Sequence, residues 1–368
     1  LEPQSTDSPA LKEAVAIYRQ SAISIPRPVY VRSLTDGNGQ DEPIYVRGNP
    51  HAMSKKSNPR HFLDAVDSRP FRSDGSGRRE WAEALVSDSN PLVPRVEVNR
   101  IWYRIFGQGL VSTIDNFGQM GSPPSHPKLL DHLASDFKSG WSRKDLIRRL
   151  VLSNTYRMSS RPSSRAQQVD PENVLLQHMP LRRLSAEAIR DSILAASGEL
   201  KHQMYGQGVP VNLDQSQPSR SRPFVDGPLD GDARRTVYLE MRRNYLPGLL
   251  IAFDLPKAAV TVGQRGVTNV PAQSLALLND PFVLAQAETW AENLLERGGQ
   301  SVRSRIQQVH LAAFSRAASE QEIQQSKSML LDLAATYNVT PDRAKDDQRL
   351  WKDFCHMMIN RKEFIFYQ

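Results

Sequence analysis

Apolar residues recur at helical spacing along most of the chain after residue 76. A typical stripe, which ends before Gly107, contains Val98, Ile101, Trp102, Ile105 and Phe106. Comparable patterns predict helices over residues 78–86, 127–140, 142–151, 185–198, 244–253, 271–279, 281–297, 301–314, 319–335 and 343–360. Amphipathic helices with one apolar face pack around a shared core. The chain is therefore predicted to be mainly α, and we interpret it as a multi-helix orthogonal bundle with long irregular loops.

Helix-start and helix-stop residues stand at the ends of these patterns. Ser319 and Glu322 have the spacing of a full capping box, and Ser142 with Asp145 resembles one. Gly198 follows a predicted helix at the place where a left-handed residue commonly ends one. The agreement between caps and periodicity supports the helical assignment.

The first part of the chain has a different pattern. Residues 10–20 predict one short helix, and residues 28–32 and 43–47 predict two strands. The strands flank the turn sequence DGNG at 36–39, so we predict a β-hairpin. Residues 51–76 are rich in Pro, Ser, Gly, Lys and Arg, and this composition indicates an irregular covering segment or linker.

A second irregular region interrupts the helices. Residues 199–235 form a long polar loop, and residues 236–241 predict a short strand after it. We divide the chain into an extended N-terminal segment with hairpin and linker over 1–75 and a helical domain over 76–368. The long loop is a candidate point of subdivision within that domain.

Composition is that of a globular protein. The chain has 368 residues, of which 39% are apolar and 24% are charged, and the length fits roughly two domains. No apolar run approaches the ~20 residues of a membrane span. Cys355 is the only cysteine, so an internal disulfide and a Cys-based metal or haem site are excluded; we expect a buried, inert thiol. The chain begins without methionine or a signal region, and we expect it to start inside a longer polypeptide.

The formal charge of +7 is carried mainly by 35 arginines against 12 lysines. Arginine pairs bidentately with carboxylate, phosphate or sulfate, so one interpretation is binding to a polyanion such as a sulfated polysaccharide. The other is that scattered arginines pair with carboxylates inside the protein or form a solvated basic surface. No zinc-finger, RRM or basic-zipper motif is present, and nucleic acid is therefore not expected as a partner.

Chemistry-bearing side chains concentrate between two predicted helices. The group consists of Asn99, Arg100, Asp115, Asn116, His126, Asp131 and His132. Histidine near carboxylates can act in acid–base catalysis, so Asp115, His126 and Arg100 are the catalytic candidates. Asn99, Asn116 and Asp131 are candidates for ligand binding. The alternative is structural: Asp115 and Asn116 form an Asx-type turn, His126 caps a helix, and Arg100 pairs with a carboxylate.

Arg182, Arg183, Arg190 and Asp191 form a second candidate group beside the long loop. Arg182 and Arg190 are candidates for binding a sulfate or carboxylate, whereas exposed helix charges with local ion pairs are the alternative. No G-x-S-x-G, H-E-x-x-H, Walker A or Rossmann glycine pattern occurs. No metal site is predicted.

Several sequence blocks resemble a known family. They are NPL at 90–92, RV at 95–96, VNRIW at 98–102, FG at 106–107, GLV at 109–111, FG at 117–118, HP at 126–127, LLD at 129–131, GWS at 140–142, RRL at 182–184, EAIRD at 187–191, FD at 253–254 and ALLNDPF at 276–282. From about Arg47 to its C-terminus the chain thus resembles the DUF1553 (PSD1) domain of planctomycete cytochrome-type proteins. One departure is Asn116, which stands where a family variant has a second carboxylate and lowers the charge available to a metal.

The resemblance implies a setting for the chain but no reaction. Such domains belong to exported, periplasmic or cell-surface proteins in which a cytochrome-c-like segment and a DUF1549 segment come first. A c-type haem would then lie in the upstream segment, and no cofactor is expected in this chain. The upstream segments or a separate protein are the implied partners.

Two functional hypotheses remain open from the sequence. The first is a helical accessory or interaction domain that docks to its own upstream segments or to a partner protein. The second is an enzyme or binding protein that acts on an anionic, sulfated polysaccharide, which the arginine content and the long loop favour.

Overall fold

This computed structural model describes residues 33–37, 39–71, 75–212, 227–242, 246–256, 261–296 and 301–367, with the short stretches 13–14, 17–18 and 21. The chain divides into two compact units, Leu1–Pro91 and Leu92–Gln368, and each is described separately. The predicted strand over 28–32 and most of the predicted helix over 10–20 lie outside the described residues.

The first unit contains a small antiparallel hairpin. Strand β1 (Pro43–Tyr45) pairs with β2 (Met53–Ser57), and helix α1 (Arg78–Leu85) follows. The turn is a 3-10 helix, Val46–Gly48, and the backbone N–H of Val46 bonds to the carbonyl of Ala52 at 2.8 Å. A small hairpin is therefore confirmed, but its second strand lies in the region predicted to be irregular. A turn at 46–52 suffices because Arg47 and Gly48 adopt positive φ angles of 54° and 75°.

Nearly all the regular secondary structure of the second unit is helical. Its helices are α2 (Leu92–Phe106), α3 (Pro127–Gly140), α4 (Arg143–Val151), α5 (Ser164–Val169), α6 (Ala186–Ser197), α7 (Gly248–Ala252), α8 (Pro271–Asn279), α9 (Pro281–Glu296), α10 (Val302–Phe314), α11 (Glu320–Thr336), α12 (Pro341–Ala344), α13 (Gln348–Asn360) and α14 (Lys362–Ile365). The short strands β3 (Arg182–Arg183) and β4 (Phe366–Tyr367) pair antiparallel and join the chain end to the start of α6. The predicted mainly α fold is confirmed.

Two apolar cores hold these helices. Helices α2, α3 and α4 enclose the smaller core, in which Val98, Trp102, Leu133, Phe137 and Leu150 are buried. The sequence stripes that predicted α2 and α3 are the faces that pack here. Burial of each large apolar side chain stabilises the fold by about 1.5–3 kcal/mol.

The larger core lies among α6, α9, α10, α11 and α13. Ile193, Val283, Ile306, Ile323 and Trp351 have no exposed surface there. Helix α9 packs against both α6 and α13, so it is the central element. Cys355 is fully buried in the same core, where burial raises the pKa of its thiol and keeps it inert, as predicted.

Capping residues set most helix ends. Ser142, Ser185 and Ser301 each accept a bond from the backbone N–H three residues on, and Gly198 ends α6 in the left-handed conformation. The predicted capping box of Ser319 and Glu322 is present at the start of α11. These predictions are confirmed.

The capping-box carboxylate also holds neighbouring helices together. Arg316 donates to Glu322 at 2.7 and 2.9 Å and to Glu363 of α14 at 2.6 and 2.8 Å. The hydrogen bonds from Arg316 place the pKa of Glu322 well below its usual range. This side chain therefore stays charged through ordinary acid conditions and ties α11 to α14.

Three local predictions differ from the structure. Thr236–Tyr238 is a 3-10 helix where a strand was predicted over 236–241, because the N–H and hydroxyl of Thr236 bond to Asp191 at 2.7 Å and turn the backbone. Helix α7 starts at Gly248, after Pro247, and is therefore shorter than the helix predicted over 244–253, of which residues 244–245 lie outside the described residues. Helix α13 starts at Gln348 because the Asp347 side chain caps it there.

None of the helices in the described part of the chain combines the length and the hydrophobicity that a membrane span requires. Of the long loop predicted over 199–235, residues 213–226 lie outside the described residues. On either side of that gap, Lys201 forms an isolated bridge to Arg234, and Val209 forms one to Leu239.

His310 is a buried histidine in the larger core. Its side chain has no exposed surface, its Nδ1 bonds to the carbonyl of Ile306 at 3.0 Å, and its Nε2 has no partner. Because a carbonyl only accepts, Nδ1 carries the proton of the neutral ring. Burial lowers the pKa of His310, and nearby Arg361 and Arg316 add to this while Glu322 opposes it. Folding therefore favours the neutral ring.

We expect this histidine to make the protein less stable in mild acid. The folded pKa lies below the unfolded value of about 6.5, so stability is complete above that pH and falls as the unfolded state takes up a proton. The free energy of unfolding in urea, measured from pH 8 to pH 5, should fall more for the wild type than for His310→Leu. Parallel curves for the two proteins would contradict the assignment.

Candidate anion-binding cleft

Asn99 lies in the smaller core and not at a binding surface. Its side chain is fully buried, its Nδ2 donates to the carbonyl of Val111 at 3.0 Å, and its Oδ1 accepts from the N–H of Val111 at 2.9 Å. A Cβ on Gly109 would lie 2.9 Å from Nδ2 of Asn99. Only glycine at position 109 therefore lets the loop pass so close to this amide. The ligand-binding role predicted for Asn99 has no exposed atom to support it.

Asp115 and Arg100 form a loose exposed pair. Their side chains are 58% and 49% exposed, and Nη2 of Arg100 lies 3.9 Å from Oδ1 of Asp115. The other carboxylate oxygen of Asp115 accepts from the N–H of Gly263 at 2.9 Å. Asn116 closes an Asx-type turn, since its Oδ1 accepts from the N–H of Gly118 at 3.0 Å. Asp115 thus anchors a distant loop and does not take part in that turn.

His126 stands at the N-cap position of α3, but its ring does not cap the helix. Its Nδ1 lies 2.9 Å from the hydroxyl of Ser125, and the ring faces a small pocket of about 220 Å³. None of the residues lining that pocket is acidic. The N-cap position expected of His126 is therefore confirmed, but its side chain makes no capping bond because its near nitrogen is directed to Ser125.

Asp131 and His132 lie on the exposed side of α3, where Asp131 pairs with Arg95 of α2. Within the described ranges neither residue forms a hydrogen bond or ion pair with Asp115 or His126. No group of three His, Cys, Asp or Glu in those ranges is arranged to hold a metal ion. The predicted catalytic group is thus distributed over separate places.

A different site is larger. The second unit has a cleft of about 1130 Å³ between the start of α6, the segments at 235–241 and 253–256, and the loop at 261–267. Its charged lining residues are Arg104, Arg182, Arg183, Arg235 and Arg265 with Glu187, Asp191 and Asp254. Among the described lining residues, five guanidinium groups against three carboxylates give a net charge of +2.

Arg183 and Asp254 form the buried base of this cleft. The Arg183 side chain is 3% exposed, and its Nη2 donates to Asp254 at 2.7 Å and to the carbonyl of Phe253 at 3.1 Å. Its Nη1 donates to the carbonyl of Thr268 at 2.6 Å. Burial alone would raise the pKa of Asp254, but the bonds from Thr268 and Arg183 outweigh it, so the pKa lies below its usual value.

Asp254 has the strained backbone expected of such a junction. Its φ angle is +63°, in the left-handed region that aspartate tolerates better than most residues. Its carboxylate accepts the N–H and hydroxyl of Thr268 at 2.8 and 2.9 Å. Several bonds thus fix one conformation and hold the loop at 261–268 beside the cleft.

The two carboxylates of α6 also accept hydrogen bonds from other parts of the protein. Glu187 accepts two bonds from Nη1 of Arg265 at 2.7 and 2.8 Å. Burial would raise the pKa of Glu187, but Arg265 holds it below the usual value. Asp191 accepts the N–H and hydroxyl of Thr236 at 2.7 Å each, and Arg235 lies 3.6 Å from it. Each acidic group in the cleft therefore has an internal partner.

Arg190 faces away from the cleft and is 5% exposed. Its guanidinium donates to the carbonyls of Arg234 and Asp230 at 2.9 and 2.5 Å and to the Thr236 hydroxyl at 3.1 Å. Burial lowers the pKa of Arg190, and Asp191 and Asp230 oppose this. The ligand-binding role predicted for Arg190 is not supported by this position, because the group is consumed in holding the loop.

Arg182 is the predicted ligand-binding residue that does lie in the cleft. Its Nη1 donates to the carbonyl of Arg104 at 2.6 Å, and its guanidinium lies 5.5 Å from the ring centre of Tyr367. Within the described part of the chain neither Arg182 nor Arg104 has a carboxylate partner. These two arginines are the available positive charges of the site.

Large apolar side chains line the same cleft and are open to solvent. Val237, Met241, Val262 and Val267 are 71%, 40%, 46% and 65% exposed. Exposed apolar groups beside charged ones are typical of a binding surface. The cleft therefore offers both positive charge and apolar contact area.

Sequence reasoning missed Arg104, Glu187, Asp254 and Arg265 as members of one site. Glu187 and Asp254 stand in the blocks that carried the family resemblance, but nothing in their spacing shows that they meet. Arg265 lies 78 residues from Glu187, and only the folded chain brings them together.

Comparison with known proteins gives the family but no activity. The family model of PSD1, a protein of unknown function (DUF1553), matches residues 77–330. The resemblance inferred from the sequence blocks is thereby confirmed, over a shorter range than expected. A search of curated proteins found no match, and neither did a search of solved structures.

We expect Asn99 and Asn116 to respond differently to substitution by alanine. Asn99→Ala leaves a buried N–H and a buried carbonyl of Val111 unpaired, and the cost should be about 2–4 kcal/mol. Asn116→Ala removes one exposed turn bond and should cost less than about 1 kcal/mol. Urea unfolding measures both. Equal losses would contradict the structural role of Asn99.

Proposed function

Because the chain belongs to the PSD1 family of unknown function, its activity must be argued from the site, and we propose that it is an interaction domain whose cleft binds a partner. The observation that carries the proposal is the pairing pattern inside the cleft. Its three carboxylates are bonded to Arg183, Arg265 and Thr236, while Arg104, Arg182 and four apolar side chains are left for a ligand.

Binding suits this cleft better than acid–base catalysis does. A general base needs a free lone pair within hydrogen-bond reach of the substrate. The bonds to Glu187 and Asp254 hold the pKa of each below its usual value, which makes both poor proton acceptors near neutral pH. The same bonds make the walls rigid, and a rigid site loses less entropy on binding.

The proposal includes the setting implied by the family resemblance. The chain would work within an exported multidomain protein, and the partner would be an upstream segment of that polypeptide or a separate protein. A cleft of about 1130 Å³ is large enough for several side chains of such a partner.

A second candidate function is binding or processing of an anionic, sulfated polysaccharide. Arg104 and Arg182 favour it, since neither has a carboxylate partner among the described residues and arginine binds sulfate bidentately. The four exposed apolar side chains of the cleft count against it, because a sulfated glycan would leave most of that area unused.

Selection from a display library of random peptides tests the proposed function. We expect the wild type to enrich a set of peptides, and Val237→Glu with Val267→Glu to lose them, because both changes place a carboxylate in the cleft. Leu331→Glu is the matched control, since Leu331 is 55% exposed on α11 and does not line the cleft. It should retain the peptides.

Two outcomes would overturn the proposal. One is enrichment that is the same for the cleft variants and the control, and the other is no enrichment on the wild type. Immobilised heparin gives the contrasting measurement. The polysaccharide function would be supported in place of the peptide one if heparin retains the wild type at moderate salt, Val237→Glu abolishes this retention, and no peptides are enriched.

A further inference from the structure

Arg182 is held in one position by three neighbours. Strand pairing places it opposite Tyr367, whose ring lies 5.5 Å below the guanidinium. Its Nη1 is fixed on the carbonyl of Arg104 at 2.6 Å. A Cβ on Gly107, which has a φ of +86°, would lie 3.0 Å from both Cδ and Nε of Arg182. A side chain constrained in this way loses little entropy when it binds an anion.

Arg104 is a second arginine in the lining of the cleft. Its carbonyl is the acceptor for Arg182, and its own side chain is exposed and has no partner among the described residues. Ser185 and Ala186, at the start of the twelve-residue helix α6, line the same cleft. The positive end of the helix dipole thus adds to the field of the two arginines.

The exposed apolar lining of the cleft favours a ligand that carries apolar groups. Val237, Met241, Val262 and Val267 lie along the segments at 235–241 and 261–267 that form other walls of the cleft. Each is at least 40% exposed, and covering this apolar surface favours binding. A ligand matched to the whole cleft therefore needs an anionic group together with large apolar groups.

We propose that the cleft binds an extended peptide segment in which an aspartate or glutamate, or a chain-terminal carboxylate, stands near large apolar side chains. The inference rests on the proposed function of the cleft and specifies its partner. The carboxylate would lie against Arg104 and Arg182, and the apolar side chains would cover the valines and Met241.

Charge and hydrophobicity together favour a peptide over a sulfated glycan. The described lining residues have a net charge of +2, which is small for a polyanion that carries a charge on nearly every unit. Three of the five arginines already have a carboxylate within 3.6 Å in the protein: Arg183, Arg235 and Arg265. One or two ligand charges satisfy the remaining pair.

The composition of the selected peptides provides the first test. Peptides that depend on Val237 and Val267 should be enriched in Asp or Glu, or in a free C-terminus, beside Leu, Ile, Phe or Met. Changing the acidic residue of such a peptide to its amide should weaken the Kd roughly tenfold to a hundredfold, the range expected of a charge-assisted bond. Calorimetry gives the Kd.

Variants of the two arginines provide the second test. Arg104→Gln should weaken binding of the acidic peptide without a change in stability, because this guanidinium makes no bond to any other described residue. Arg182→Lys should also weaken it, since lysine cannot reproduce the planar, stacked group. Arg148→Gln is the matched control: it removes one charge from a side chain that is 70% exposed and lies outside the cleft. It should bind like the wild type.

The two proposals fail in different ways. The acidic-peptide inference is overturned if the cleft-dependent peptides lack acidic groups. It is also overturned if acidic peptides bind Arg104→Gln and Arg148→Gln equally well. Either result leaves the proposed interaction domain in place. Absence of any cleft-dependent peptide would overturn both. Thermal unfolding of each variant shows whether Arg182→Lys is folded, and Arg104→Gln decides the outcome if it is not.

Discussion

Buried guanidinium groups are the interaction on which the loops of this protein depend. A guanidinium removed from water requires several acceptors, and an irregular segment has carbonyl groups that require donors. Arg190 of α6 meets both needs by donating to the carbonyls of Asp230 and Arg234. Arg234 then donates to the carbonyls of Gln207 and Tyr205 and lies 4.1 Å from the ring centre of Tyr238. Helix α6 thus holds the segment at 230–234, which in turn holds the segment at 205–207.

The same interaction explains the composition of the chain. Many arginines are structural, as Arg305 also shows: it is 1% exposed, donates to Asp346 at 3.1 Å, and lies 5.8 Å from the ring of Trp351. The second interpretation of the sequence, in which arginines pair with carboxylates inside the protein, therefore accounts for much of the excess of arginine over lysine. Arg104 and Arg182 matter because both line the cleft and neither has a carboxylate partner among the described residues. Net charge alone could not distinguish the two kinds of arginine.

Periodicity and capping predicted the helices well because both are local. Ser319 and Glu322 are three residues apart, and the capping box formed where expected. The candidate site was predicted poorly because it is assembled over long distances. Asn99 and Arg100 are neighbours in sequence, but successive helical positions differ by about 100° in direction, so one is in the core and the other is exposed. Conversely, the cleft pairs Glu187 with Arg265, a contact that no spacing rule identifies.

The rigidity of the cleft follows from how its loop is attached. Asp115 bonds to Gly263, Glu187 to Arg265, and Asp254 to Thr268, so three carboxylates hold this short loop at three points. The negative charges of the region are thereby used to build the wall and do not face the ligand. The positive charges that remain, on Arg104 and Arg182, act without nearby competition. In the proposed complex this arrangement would favour an anionic ligand, and the selectivity between anions would then depend on the exposed valines and Met241.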